Sequence, residues 1–424
     1  MLSPFLLSGQ TFDAGLAQQL QNKIDSLRIA NNLQGISASV IYPGQGMWQG
    51  VTGDSYAGNP ITTDMEFGIA SNTKLFTAVL TLKLADAGLI NLDDSLHEWL
   101  PGYPNVDSNI TIRQLMNHTS GLADINNVVG YSDSILTDPY RVFQPAELMT
   151  WIGPPLFAAG TSWSYSNTNY IIAGMIIETA TGQSYGQVLH DSILSPLSLD
   201  STFLHVYDSV LGVIAHPWQS NIDQYVVPRY ALNSAAWSAG GMYSNSSDMA
   251  QWYYALMNGQ VLSPWAFSQM TTFTGSGNYG CGLYEMTIAT RTVWEHGGTI
   301  WGGYNSQMVY DTATGAVICV LINENPAQAF PIAVQLLQTI VNYGVGIQEN
   351  ELPQVQIYPI PVTDELHIDM KGEPIERITL FSVDGRIIAE SDGLVLQMSS
   401  YPNGIYFIRI QTDRGDFMRE IVKQ

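Results

Sequence analysis

The chain has 424 residues, 46% of them hydrophobic, enough to bury a sizeable core and to form two or three structural units. Its formal net charge of −22, from 15 Lys plus Arg against 37 Asp plus Glu, repels polyanions and argues against nucleic acid as a partner. Two cysteines, Cys281 and Cys319, exclude a disulfide framework or Cys-rich zinc site, and no window approaches the roughly 20 apolar residues of a bilayer span.

In chain order, the opening "MLSPFLLSG" has too short an apolar run for a signal h-region and no basic n-region, and reads as a mature start with an added Met. "ISASVIY" (36–42) and "GMWQGVTGD" (46–54) read as a hairpin around "PGQG". Residues 71–88 predict a helix whose apolar positions, Leu75, Phe76, Val79, Leu80, Leu82 and Leu84, run almost all the way round, as in a central, buried helix. From about 90 to 260 helical pieces and long loops dominate, among them "NYIIAGMIIETATG" (169–182), which ends in a glycine suited to a C-cap.

Strands return at 279–288, 291–298, 304–311 and 315–323, followed by an amphipathic helix from about 327 to 343. Strands at both ends of a helical middle predict an α/β (α+β) unit over residues 1–346: one antiparallel sheet flanked by helices and carrying a helical insert. Residues 347–356, within the polar, aromatic-free "GVGIQENELPQVQ", read as a linker. Short alternating strands with turns at "DG" (384–385) and "NG" (403–404) then predict a small all-β sandwich over 357–424.

Seven of the 15 basic residues lie in that tail, and only three lysines precede it: Lys23, Lys74 and Lys83. One of the three, Lys74, stands in an apolar run three positions after Ser71. A Ser-x-x-Lys match alone also fits an N-cap serine followed by a solvated lysine. In a buried helix the reading changes: side chains at i and i+3 share a face, so the ammonium can reach the hydroxyl. Desolvation lowers the lysine pKa toward that of a useful proton acceptor for a nucleophilic serine, and a helix N-terminus favours a developing oxyanion.

With "SNTK" (71–74), "YSN" (165–167) and "HGG" (296–298) in that order, the chain resembles the serine β-lactamase and D-Ala-D-Ala-peptidase superfamily, in the branch of class C β-lactamases, D-aminopeptidases and related esterases. The phrases "ITIRQLMNHTSGL" (110–122), "AGGMYSNSSDMAQW" (239–252) and "GGTIWGGYNS" (297–306) agree with it, over roughly residues 15–343. The resemblance implies Ser71 as nucleophile, Lys74 as its proton partner, Tyr165 as a second general base and His296 as a further catalytic residue. Asn167 would offer its amide to a substrate carbonyl, Gly298 and Thr299 would line the substrate, and the backbone N–H groups of Ser71 and Thr299 would form the oxyanion hole. A phenol is a poor base unless cations stabilise its phenolate, a field expected from Lys74 and His296.

Many class C β-lactamases carry Lys-Thr-Gly where this chain has His296-Gly297-Gly298. That difference removes two groups that would grip a terminal carboxylate and favours small esters, amides or D-amino-acid peptides. β-Lactamase or D-Ala-D-Ala carboxypeptidase activity is the alternative; a sensor that binds without turnover is another. "GQSYG" (182–186) matches a nucleophile elbow, but a helical pattern precedes it, so Gly182 reads as a C-cap and Ser184 as the next N-cap. The histidines show no metal spacing: His97 reads as a surface residue and His118 as structural. No metal and no cofactor are expected, and Cys281 and Cys319 read as buried free thiols or, if their strands are neighbours, a pair.

The tail resembles the sorting domain of the type IX secretion system of Bacteroidetes, through "VQIYPIPVTDELHI" (355–368), "ITLFSVDGRII" (378–388) and "YPNGIYFIRIQTDRGDFMREIVKQ" (401–424). It implies the secretion machinery as a partner, beside a small-molecule or peptide substrate, and a secreted or cell-surface location.

Overall fold

The computed structural model describes residues 11–345, 355–370, 375–382, 387–412 and 415–424. The first ten residues, most of the expected linker and the 384–385 turn lie outside these. The chain divides into two compact units, Met1–Tyr343 and Gly344–Gln424.

In the first unit a helix (α1, Ala14–Ala30) precedes the hairpin β1 (Gly35–Tyr42) and β2 (Gly46–Tyr56) and the short β3 (Asn59–Pro60). The last third supplies β4 (Tyr284–Ile288), β5 (Arg291–Ile300), β6 (Tyr304–Asp311) and β7 (Val317–Ile322). Together they form a seven-stranded sheet in the order β3-β2-β1-β7-β6-β5-β4, with antiparallel pairing throughout. The earliest and latest strands therefore meet at its centre, where Ser39 of β1 faces Cys319 of β7.

Alternation along the central strand explains the layers. Ile318, Val320 and Ile322 join α1 residues Leu16, Leu20 and Ile24 and the C-terminal helix of the unit, residues 330–345, through Ile332, Leu336 and Ile340. On the opposite face Val317, Cys319 and Leu321 pack into the core shared with the helical insert. A strand buried on both faces reads as a continuous apolar run, as "VICVLI" does.

The insert contributes α2 (Thr73–Asp86), α3 (Asn167–Thr181) and α4 (Tyr230–Gly240). Eleven of the fourteen α2 residues are buried, so this helix lies inside the unit. It begins two residues later than periodicity predicts, because Ala70–Asn72 form a 3-10 turn before it. Gly182 closes α3 in the left-handed conformation at φ 68°, and Ser184 Oγ caps the next short helix by accepting from the Gln187 N–H. No strand leads into Ser184, which removes the nucleophile-elbow reading. Cys281 lies ahead of β4 rather than in a strand, and both cysteines are free and buried.

The second unit is all-β, with antiparallel sheets of three and four strands. Leu366 and Ile368 from one sheet share a core with Ile378, Leu380, Ile408 and Ile410 from the other, which makes it a sandwich. No helix among the described residues is long and apolar enough to cross a membrane.

Candidate active site

The site forms where β5 outruns its neighbour. Strand β4 pairs with Arg291–Glu295 only, so residues 296–300 present an edge beside the 3-10 turn that carries Ser71. Gly298 permits the approach: a Cβ there would stand 2.3 Å from the Ile69 carbonyl oxygen and 2.6 Å from Ser306 Oγ. Ser306 Oγ donates to that same carbonyl at 2.7 Å and accepts from Asn72 Nδ2 at 2.8 Å, fastening the turn to β6. Ala70, immediately before Ser71, sits at φ 49°, a left-handed conformation that costs a non-glycine residue of order 1–2 kcal/mol.

Lys74 is fully buried. Its Nζ lies 3.1 Å from Ser71 Oγ and donates to Asn167 Oδ1 at 2.7 Å and to the Ala239 carbonyl at 2.7 Å. That carbonyl follows a break in α4 at Trp237, whose φ of 37° is non-helical. Burial pushes the Lys74 pKa down to about 7, while the Asp124 carboxylate opposes the fall. The carboxylate acts through a short relay, because Asn167 Nδ2 donates to its Oδ2 at 2.9 Å. A lysine near 7 divides between ammonium and free amine at neutral pH and can receive a hydroxyl proton.

Tyr165 shares a hydrogen bond with Ser71, yet burial drives its pKa well above the ordinary phenol value. Lys74 Nζ lies 4.9 Å from the centre of the ring. His296 does not supply the cationic field expected of it: burial, with the Lys74 charge adding, pushes its pKa down to about 3. The imidazole is neutral, and its tautomer follows from its partners. A carbonyl can only accept, so Nδ1–H donates to Gly297 O at 2.7 Å and Nε2 accepts the Tyr279 hydroxyl at 3.1 Å. In the resting site Tyr165 is thus a protonated phenol, while Lys74 divides between ammonium and free amine.

His118 is buried and neutral, its ring centre 4.4 Å from that of Tyr165 with the two planes tilted by 36°. Its Nδ1 accepts from the Ser166 N–H at 3.2 Å and stands 2.9 Å from Asn169 Nδ2, which fits its structural reading. His97 is exposed, as expected. Thr299 presents an exposed side chain whose Oγ1 accepts from Asn305 Nδ2 at 2.6 Å. It lines, with Ser71 and Asn167, a cavity of about 290 Å³. The expected set therefore gathers in one place, while two further members, Asp124 and Tyr279, were not singled out. No group of three or more metal-binding side chains occurs among the described residues.

A hydroxyl, a desolvated amine and a phenol beneath the edge of a helix-flanked antiparallel sheet define the class. Residues 16–339 match the Beta-lactamase family, and the chain belongs to that family. Residues 356–424 match the secretion system C-terminal sorting domain, which makes this a secreted or cell-surface protein of the type IX route.

Penicillin-binding protein 4* of Bacillus subtilis is 29% identical over 276 residues, covering 59% of each chain. The chain spans between 47% and 63% of the length of the first curated relatives it matches. Among solved structures, the D-stereospecific amidohydrolase of a Streptomyces species is 29% identical with a TM-score of 0.66, over 76% of this chain and 98% of that one. The D-amino acid amidase of Ochrobactrum anthropi SV3, complexed with L-phenylalanine, is 25% identical with a TM-score of 0.69, over 78% of this chain and 100% of its own.

Proposed function

We propose that the first unit is a serine hydrolase that acts through an acyl-enzyme on small amides, esters or short peptides of D-amino acids. One observation carries the reading: Lys74, buried and with its pKa near 7, stands within hydrogen-bond reach of the Ser71 hydroxyl. Ser71 Oγ attacks the substrate carbonyl carbon as its proton passes to the free amine of Lys74. The oxyanion that forms is held by the N–H groups of Ser71 and Thr299, each such donor being worth about 10²–10³ in rate. The carbonyl-to-nitrogen or carbonyl-to-oxygen bond then breaks, and the leaving atom takes the Tyr165 phenol proton. The proton held by Lys74 neutralises the phenolate, and water releases the acyl group by the reverse transfers.

Support for D-amino-acid substrates comes from the amidohydrolase and amidase neighbours, and from a neutral His296 beside Gly297, which offers no charge to a terminal carboxylate. The penicillin-binding relative favours a second reading, acylation by penicillins.

The test is a panel of D-alanyl and D-phenylalanyl amides, short-chain esters and a chromogenic cephalosporin, run on wild type and Ser71→Ala. Amide and ester turnover falls on the order of 10³-fold or more in the variant; unchanged turnover overturns the serine reading. Turnover of the cephalosporin alone would favour the β-lactamase reading.

A further inference from the structure

The cavity beside Ser71 includes Asn167 and Thr299 in its wall but neither Tyr165 nor His296. If Tyr165 gives its proton to the leaving group, that group departs on the other side, and the cavity holds the acyl portion. It does not end there. Ile135, Leu232 and Trp301 are walls both of this cavity and of a second recess of about 530 Å³. Leu136, Pro139, Val227 and Pro228 complete most of the second lining. Leu136 is 68% exposed and Val227 43% exposed, which leaves an uncovered apolar surface that adjoins the nucleophile's own cavity at three shared residues.

The junction is held at Trp301. Arg229 donates from Nη2 to the Trp301 carbonyl at 2.7 Å, from Nη1 to Gly302 O at 3.1 Å and from Nε to the Tyr243 hydroxyl at 3.1 Å. Its guanidinium also sits 5.2 Å from the Tyr304 ring centre. Two of these bonds hold the turn that bears Trp301 and the third anchors the guanidinium itself, so the recess is formed before any ligand arrives. Pre-formed apolar space next to a few polar groups is the usual character of a ligand site.

We infer that this recess is an acyl-side subsite, which takes the apolar far end of acyl groups too long for the first cavity. It rests on the acyl-enzyme reading and deepens it: the enzyme selects substrates whose acyl portion carries an apolar group beyond the part next to the scissile carbonyl.

The experiment compares p-nitrophenyl acetate, butyrate and octanoate on wild type, on Leu136→Asp with Val227→Asp, and on Ser71→Ala. Both recess positions are exposed, so the double variant keeps its fold, which circular dichroism checks. Wild type shows kcat/KM rising from acetate to octanoate. The double variant lowers the octanoate-to-acetate ratio of kcat/KM at least fivefold, through a higher KM for octanoate and little change in kcat. The subsite is overturned if that ratio stays at the wild-type value, or if wild type shows no gain with chain length. Retention of ester turnover by Ser71→Ala would instead sink the serine reading, so the two failures are separable.

Discussion

Asp124 is joined to Lys74 by a single amide: Asn167 accepts from Nζ at 2.7 Å and donates to the carboxylate at 2.9 Å. The arrangement places a negative charge where it counteracts the desolvation of the amine. Burial, the larger effect, and this charge together place the Lys74 amine near 7.

Asp124→Asn removes that charge and keeps a side chain of the same shape. The Lys74 pKa, lowered to about 7 in the wild type, falls further once the stabilising carboxylate is gone. Activity requires the free amine, so kcat/KM in the wild type rises with pH through about 7, and in the variant this acid limb moves to lower pH. A pH–rate profile checks it; a limb that stays in place or moves upward contradicts the relay.

Gly298→Val tests the contact between β5 and the Ser71 turn. The added side chain meets the Ile69 carbonyl and Ser306 and must push the turn away. We expect a loss of about 1–3 kcal/mol in stability and a kcat lower by about 10²-fold, the scale of an ångström misplacement. Thermal melting and steady-state kinetics read the two effects separately.

Tyr279→Phe removes the donor to His296 Nε2. One neutral hydrogen bond has a net value of about 1 kcal/mol, so kcat/KM falls about fivefold if the orientation of the imidazole matters to turnover. His296 is neutral in the folded protein, so the acid limb near 7 in both proteins is assigned to Lys74 and not to the imidazole. Equal rates in both proteins would remove Tyr279 from the site.

Glu66 tests stability rather than rate. Its carboxyl is buried against Gly212, and desolvation raises its pKa from 4.5 to about 7, with Asp248 and Asp64 adding to the rise. Between those values the folded chain binds the proton that the unfolded chain has released, so stability falls as pH rises toward 7 and levels off above it. Glu66→Gln removes the slope. The difference in unfolding free energy between pH 5 and pH 8 shrinks by about 1–2 kcal/mol, measured by urea titration at both values.

Features fixed by near neighbours were legible in the sequence. Ser71 and Lys74 are three residues apart, so helical geometry alone brings them together. Gly182 and Ser184 cap helices for local reasons, and the strands of the sheet followed from apolar runs. Asp124 and Tyr279 escaped because their partners are distant: 43 positions separate Asp124 from Asn167, and 17 separate Tyr279 from His296. Nothing in "GLADINN" or "NYGCGLY" distinguishes them from ordinary loop residues. The full neutrality of His296 comes from burial, which is a property of the whole fold and not of its near neighbours. The 3-10 turn before α2 was missed because it depends on Gly298 and Ser306, which lie more than 200 residues downstream.

The sheet order has a consequence for how the first unit comes into being. Strand β1 needs β7 as its neighbour, so a nascent chain halted before Val317 has the Ser71 turn yet lacks the middle of the sheet that supports it. Contacts of such long range are slow to form. A fragment that ends before Val317 therefore leaves β1 without its central neighbour, and the support of the Ser71 turn is completed only late in synthesis.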